Sequence, residues 1–115
     1  MSEAVITIPG YGEVIGYEAL TATGTKAALT ATKYIKQADV AAGHMQRPMT
    51  ARVAVISLSV ANIRWTSDGT APVAATTGHT LIAGQTLILE GAGKIAKFQF
   101  IAVSGSPVLD CLYTL

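Results

Sequence analysis

The sequence predicts an all-β fold, a single sandwich or barrel of seven or eight short antiparallel strands. Three observations lead there: apolar residues alternate with polar ones over most of the chain, the alternating runs are broken every ten residues or so by Gly, Pro, Asp and Ser, and no stretch sustains a helical period. At 115 residues the chain fits one domain spanning 1–115, large enough for a core and too short for two.

Taken in order, residues 4–8 read as a short strand that Pro9-Gly10-Tyr11-Gly12 interrupts. Residues 13–20 resume it, with Val14, Gly16 and Glu18 on one side and Ile15, Tyr17 and Ala19 on the other. Residues 1–20 thus form an N-terminal segment able to complete its own sheet, to dock, or to exchange. Residues 21–26 are turn-like, and 27–35, rich in Thr and Ala, fit a strand better than the alternative of one helical turn. Residues 37–50 lack periodicity and read as a long surface loop, with a brief helix at 39–42.

From Arg52 the pattern is strongly β. Val53 and Val55 oppose Ala54, Ile56, Leu58 and Val60, and after a turn or bulge near Ala61-Asn62 the run 63–66 continues as the second strand of a central hairpin. Ser67-Asp68-Gly69-Thr70 supplies the corner that follows: Asp bonds its own backbone two residues on, Gly accepts a positive φ, and Pro72 keeps the next stretch out of a central ladder. Residues 76–80 read as loop and Ala83-Gly84 as a turn. In the next strand Thr86, Ile88 and Glu90 alternate with Gln85, Leu87 and Leu89, and Gly91-Ala92-Gly93 reads as a hairpin turn. Phe98 and Phe100 share a face with Ala96 and Ala102, opposite Ile101 and Val103. The last strand sets Leu109, Cys111, Tyr113 and Leu115 against Val108, Asp110, Leu112 and Thr114.

Composition narrows the function. Half the residues are hydrophobic and only 13% are charged, against about 25% in ordinary soluble domains. A surface so lightly charged is either covered by other subunits or padded with Ala, Thr and Gly. The net charge of +1 is scattered, which gives no electrostatic footprint for nucleic acid. No apolar run approaches the roughly 20 residues that cross a bilayer, and the N-terminus has no basic leader region. Cys111 is the single cysteine, so no intrachain disulfide forms, and it reads as a small buried hydrophobe.

Chemistry-bearing motifs are sparse. His44 and His79 stand at no recognised metal-ligand spacing, and no Gly-x-Ser-x-Gly elbow is present, so neither a metal, a cofactor nor a catalytic residue is expected. His79, after Gly78, reads as a residue hydrogen-bonding a strand end. Gly10-Tyr11-Gly12 and Gly91-Ala92-Gly93-Lys94 are not expected to precede a helix that could hold a phosphate. Trp65, beside Ile63, reads as core rather than a sugar-stacking platform. Asp68, Gly69, Thr70 and Pro72 are a structural turn. The partner contact is assigned to the 37–50 loop, where His44, Met45, Arg47 and Met49 mix polarisable, cationic and adaptable side chains, and to Tyr11 and Tyr17 of the N-terminal segment.

From Leu29 onward the succession Ile63-Arg64-Trp65-Thr66-Ser67-Asp68-Gly69-Thr70-Ala71-Pro72, Gly78-His79, Ala83-Gly84-Gln85-Thr86-Leu87-Ile88-Leu89-Glu90 and Ile95-Ala96-Lys97-Phe98-Gln99-Phe100-Ile101 resembles a family of small structural proteins of tailed bacteriophage virions. The Ile63-to-Pro72 piece alone is also similar to a strand-turn of chitobiase-type C-terminal modules. Both resemblances imply an immunoglobulin-like or jelly-roll-like sandwich. The first implies a non-enzymatic decoration or cement protein, a dimer or trimer made in the host bacterial cytoplasm and resident in the virion. Its partner would be the major capsid protein or another virion protein, in the head or in a tail or connector. The second implies a carbohydrate- or ligand-binding module.

Overall fold

A computed structural model describes residues 12–36 and 48–115. The expected strand at 4–8 and helix at 39–42 lie outside them, as do Tyr11, His44, Met45 and Arg47. The elements are β1 (Val14–Thr21), β2 (Ala27–Ala28), α1 (Ala31–Tyr34), β3 (Ile35–Lys36), β4 (Met49–Thr50), β5 (Val53–Ser59), β6 (Ile63–Thr66), β7 (His79–Leu81), β8 (Thr86–Glu90), α2 (Ala92–Lys97), β9 (Gln99–Ala102) and β10 (Val108–Thr114). The protein is all-β. The ten strands among the described residues exceed the seven or eight expected because three of them are only two residues long.

All pairings are antiparallel. Among the described residues one four-stranded sheet has the order β1-β10-β5-β8, a second has β2-β9-β6-β7, and β3 pairs with β4 alone. The inward faces share a single apolar cluster, to which the first sheet gives Ile56, Leu58, Leu109, Cys111 and Tyr113 and the second gives Ile63, Leu81 and Phe100. Each such Leu, Ile or Phe side chain stabilises the fold by roughly 1.5–3 kcal/mol relative to exposure. β10 is central: Leu109, Cys111 and Tyr113 are fully buried, as their alternation predicts.

Several sequence expectations are corrected. The stretch 27–35 is not one strand: Lys33 and Tyr34 both donate backbone N–H groups to the Thr30 carbonyl, closing one helical turn. That turn delivers Tyr34 edge-on to Tyr113, with ring centroids 5.9 Å apart. Met49 and Thr50, read as loop, pair with Lys36 and Ile35, so the base of the 37–50 segment is a strand ladder. β5 and β6 form no hairpin. Val60, expected on the same side as Leu58, instead takes a φ of 76° and is 73% exposed, whereas Leu58 is buried. The chain there turns tightly, with the Ala61 N–H on the Ser59 carbonyl, and passes into the other sheet.

His79 and Thr80, expected in a loop, belong to β7 and pair with Trp65 and Arg64. Gly91-Ala92-Gly93 does not make a hairpin turn: Gly91 stands at the N-cap and Ala92 and Gly93 open α2, which buries Ile95 while Lys94, Ala96 and Lys97 stay exposed. The burial of one large apolar side chain outweighs the turn preference of the two glycines. Consequently Ala96 is helical and β9 begins only at Gln99. Ile101, placed opposite Phe100, is buried as well, so β9 has no fully exposed face along its length.

Candidate functional site

Three places gather polar or exposed side chains. The first is the corner after β6. Gly69 takes a φ of 91°, the Thr70 N–H donates to Asp68 Oδ1 at 2.9 Å, and the Thr66 hydroxyl donates to the Thr70 carbonyl. The bond from Thr70 holds the Asp68 carboxyl below its ordinary pKa. Pro72 is buried at the end of this corner. Arg64 ties the next loop down, its Nε donating to the Ala74 carbonyl at 2.8 Å and its guanidinium to the Gly78 carbonyl at 3.1 Å. Gly78 is required here, since a Cβ would stand 2.9 Å from the Trp65 carbonyl oxygen at a φ of 115°.

Between corner and loop lies a cleft of about 360 Å³ lined by Thr66, Ser67, Asp68, Thr70, Thr77, Gly78 and His79. The His79 ring lies against Trp65 at 4.8 Å, and Trp65 packs on Phe98 at 5.7 Å, so Trp65 is half-buried against the core as expected. His79 is itself the first residue of β7, and its ring lies on an indole.

The second place is interior and sequence reasoning missed it. Glu18 faces inward from β1, 8% exposed. Its Oε2 accepts the Tyr113 hydroxyl at 2.6 Å and the Thr30 N–H at 3.0 Å. Burial first, and the bond to Glu18 second, push the Tyr113 phenol well above its ordinary range. Burial likewise pushes the neighbouring Cys111 thiol up to about 12, so it is an inert protonated group at neutral pH. The available signal was parity: Glu18 alternates in register with Gly16 and Leu20, whose side of the strand turns out to be the core side.

The third place is the outer face of the first sheet. Tyr17 pairs with Leu112, Leu112 with Val55 and Val55 with Ile88, forming one apolar row across all four strands. Tyr17 is 57% and Ile88 44% exposed, with Leu112 and Val55 half-buried between them. The Tyr17 hydroxyl donates to Asp110 Oδ1 at 2.9 Å, a bond that raises the phenol pKa. Contiguous exposed apolar surface of this kind marks interaction sites.

Of the expected contact residues, Tyr17 therefore lies on this face. Met49, also exposed, lies on β4 and borders a different groove of about 510 Å³ with Thr50, Arg52, Gly91 and Ala92. Tyr17 does not line that groove. Among the described residues no group of three or more His, Cys, Asp or Glu is placed to hold a metal ion, and no helix is long and apolar enough to cross a membrane. Comparison with protein families, with curated proteins and with solved structures returned no match.

Proposed function

We propose that this chain is a non-enzymatic structural protein of a bacteriophage virion, a capsid decoration or cement protein that binds across neighbouring capsid subunits as a dimer or trimer. The observation that supports this reading is the apolar row on the outer face of the first sheet, an interaction surface without a reactive group on it. The sequence resemblance to tailed-phage virion proteins points the same way. A protein that binds only the closed shell stabilises that shell in proportion to its occupancy and affinity, without any chemical step. Such a protein is made in the bacterial cytoplasm and ends in the virion. Mass spectrometry of purified virions should recover it at a copy number matching capsid sites, and heads lacking it should rupture at a lower temperature. A few copies per particle would move it to a connector or tail. Virions containing none would overturn the reading.

One observation favours a second reading, a carbohydrate- or ligand-binding module: the hydroxyl-lined cleft between the Asp68 corner and His79, beside Trp65. Its test is a glycan array followed by Trp65 fluorescence titration. No change in emission with any glycan would remove it.

A further inference from the structure

The row Tyr17-Leu112-Val55-Ile88 has an electrostatic setting that selects its occupant. On one side of it the next outward row runs Ala19-Asp110-Ser57-Thr86, and on the other side the paired residues are Val14, Thr114, Val53 and Glu90. The two carboxylates thus flank the apolar row from opposite sides. Two strand spacings across and four residues along, they stand about 16 Å apart. None of the residues in these three rows is a lysine or arginine.

Two copies packed face to face would set these carboxylates against one another with no lysine or arginine in the three rows to offset them, which disfavours a second copy here. An extended segment gains backbone hydrogen bonds at a sheet edge, not on a face. A helix satisfies its own backbone and needs only an apolar face to cover its stripe. The row spans three strand spacings, about 14 Å, the length of about ten helical residues.

We infer that the outer face of the β1-β10-β5-β8 sheet docks an amphipathic helix of a protein partner whose apolar stripe is flanked on both sides by lysine or arginine. This rests on the reading of the chain as an interaction protein, but its test needs no virion. The probes are two stapled fourteen-residue helices with the same leucine stripe, flanked by lysines in one and by glutamates in the other, titrated into the ¹⁵N-labelled full chain. The lysine-flanked helix should shift the amides of Tyr17, Val55, Ile88 and Leu112 and bind at least about tenfold tighter than the glutamate-flanked one. The double variant Glu90→Lys/Asp110→Lys should reverse that preference while keeping the parent amide spectrum elsewhere. Ile88→Ser, at an exposed position, should weaken binding of both helices. Equal affinity for the two helices, shifts centred on another surface, or no shift at millimolar peptide would each overturn the inference. Absence of the protein from virions would overturn the function reading and leave this one standing.

Discussion

Glu18 and Asp68 each accept a backbone N–H, at 3.0 Å and 2.9 Å, yet one is interior and the other at the surface. Glu18 joins residues 12 and 95 positions away, Thr30 and Tyr113, so its bonds tie β1, the start of α1 and β10 into one knot. Asp68 instead joins its near neighbour Thr70, two residues on. In the low-dielectric interior a donor that loses its partner finds no water to replace it, whereas at the surface water substitutes. The same bond therefore secures tertiary structure in one place and the shape of a turn in the other.

Glu18→Ala puts this contrast under the greatest load. It strands the Tyr113 hydroxyl and the Thr30 N–H, each at about 1–3 kcal/mol, so urea denaturation should show a loss of about 3 kcal/mol or more. Tyr113→Phe removes one of the two donors to the buried Glu18 carboxyl and should cost about 1–3 kcal/mol. If both variants unfold with the parent midpoint, the knot carries no stability and the contrast with Asp68 disappears.

A second test compares two glycines near the surface carboxylate. Gly69 has open space where a Cβ would stand, so Gly69→Ala meets only the positive φ and should cost about 1 kcal/mol. At Gly78 the same φ penalty is joined by a close approach to the Trp65 carbonyl, and Gly78→Ala should cost about 2–3 kcal/mol. Equal losses would mean that the loop yields at Gly78 and that Arg64 does not hold it.

What the sequence made legible was faces and turns. The alternation of β8 and β10 and the Asp68-Gly69 corner are local properties, written in residues next to one another. Pairing is not local. Nothing in the residues of β5 or β6 says that Val60 will turn left-handed and send β6 to the other sheet, and His79 reveals itself as a strand residue only once Trp65 is its partner. The same limit hid the functional candidate. Of its members Tyr17 alone stands out in the sequence, while Leu112, Val55 and Ile88 are ordinary residues singly and join it as a surface only through the register of four strands. Glu18 escaped because alternation assigns it a side without saying which side is the core.

A smaller effect sits at Thr114, whose Oγ1 is buried with no hydrogen-bond partner among the described residues. Thr114→Val keeps the shape and deletes the unpaired hydroxyl, so it should stabilise by about 1 kcal/mol. A loss of stability instead would reveal that the hydroxyl is paired through bound water.

The smallest effect expected is the charge of Asp68 itself. Asp68→Asn keeps an oxygen able to accept the Thr70 N–H, so what it removes is the negative charge that hydrogen bonding from Thr70 favours. The folded carboxyl has the lower pKa, so as pH falls the unfolded chain takes up its proton first, near its ordinary value of about 3.9. Stability from the charge is therefore fully present above that value and is lost as pH falls through the lower folded value. Thermal midpoints of the parent and the Asp68→Asn variant, measured from pH 7 downward, should differ slightly at neutral pH and converge below about pH 4. High salt should narrow the neutral-pH gap, because the site is open to solvent. A gap that persists unchanged to the acid limit would mean that the amide fails to reproduce the turn geometry, and that Asp68 acts through shape rather than charge.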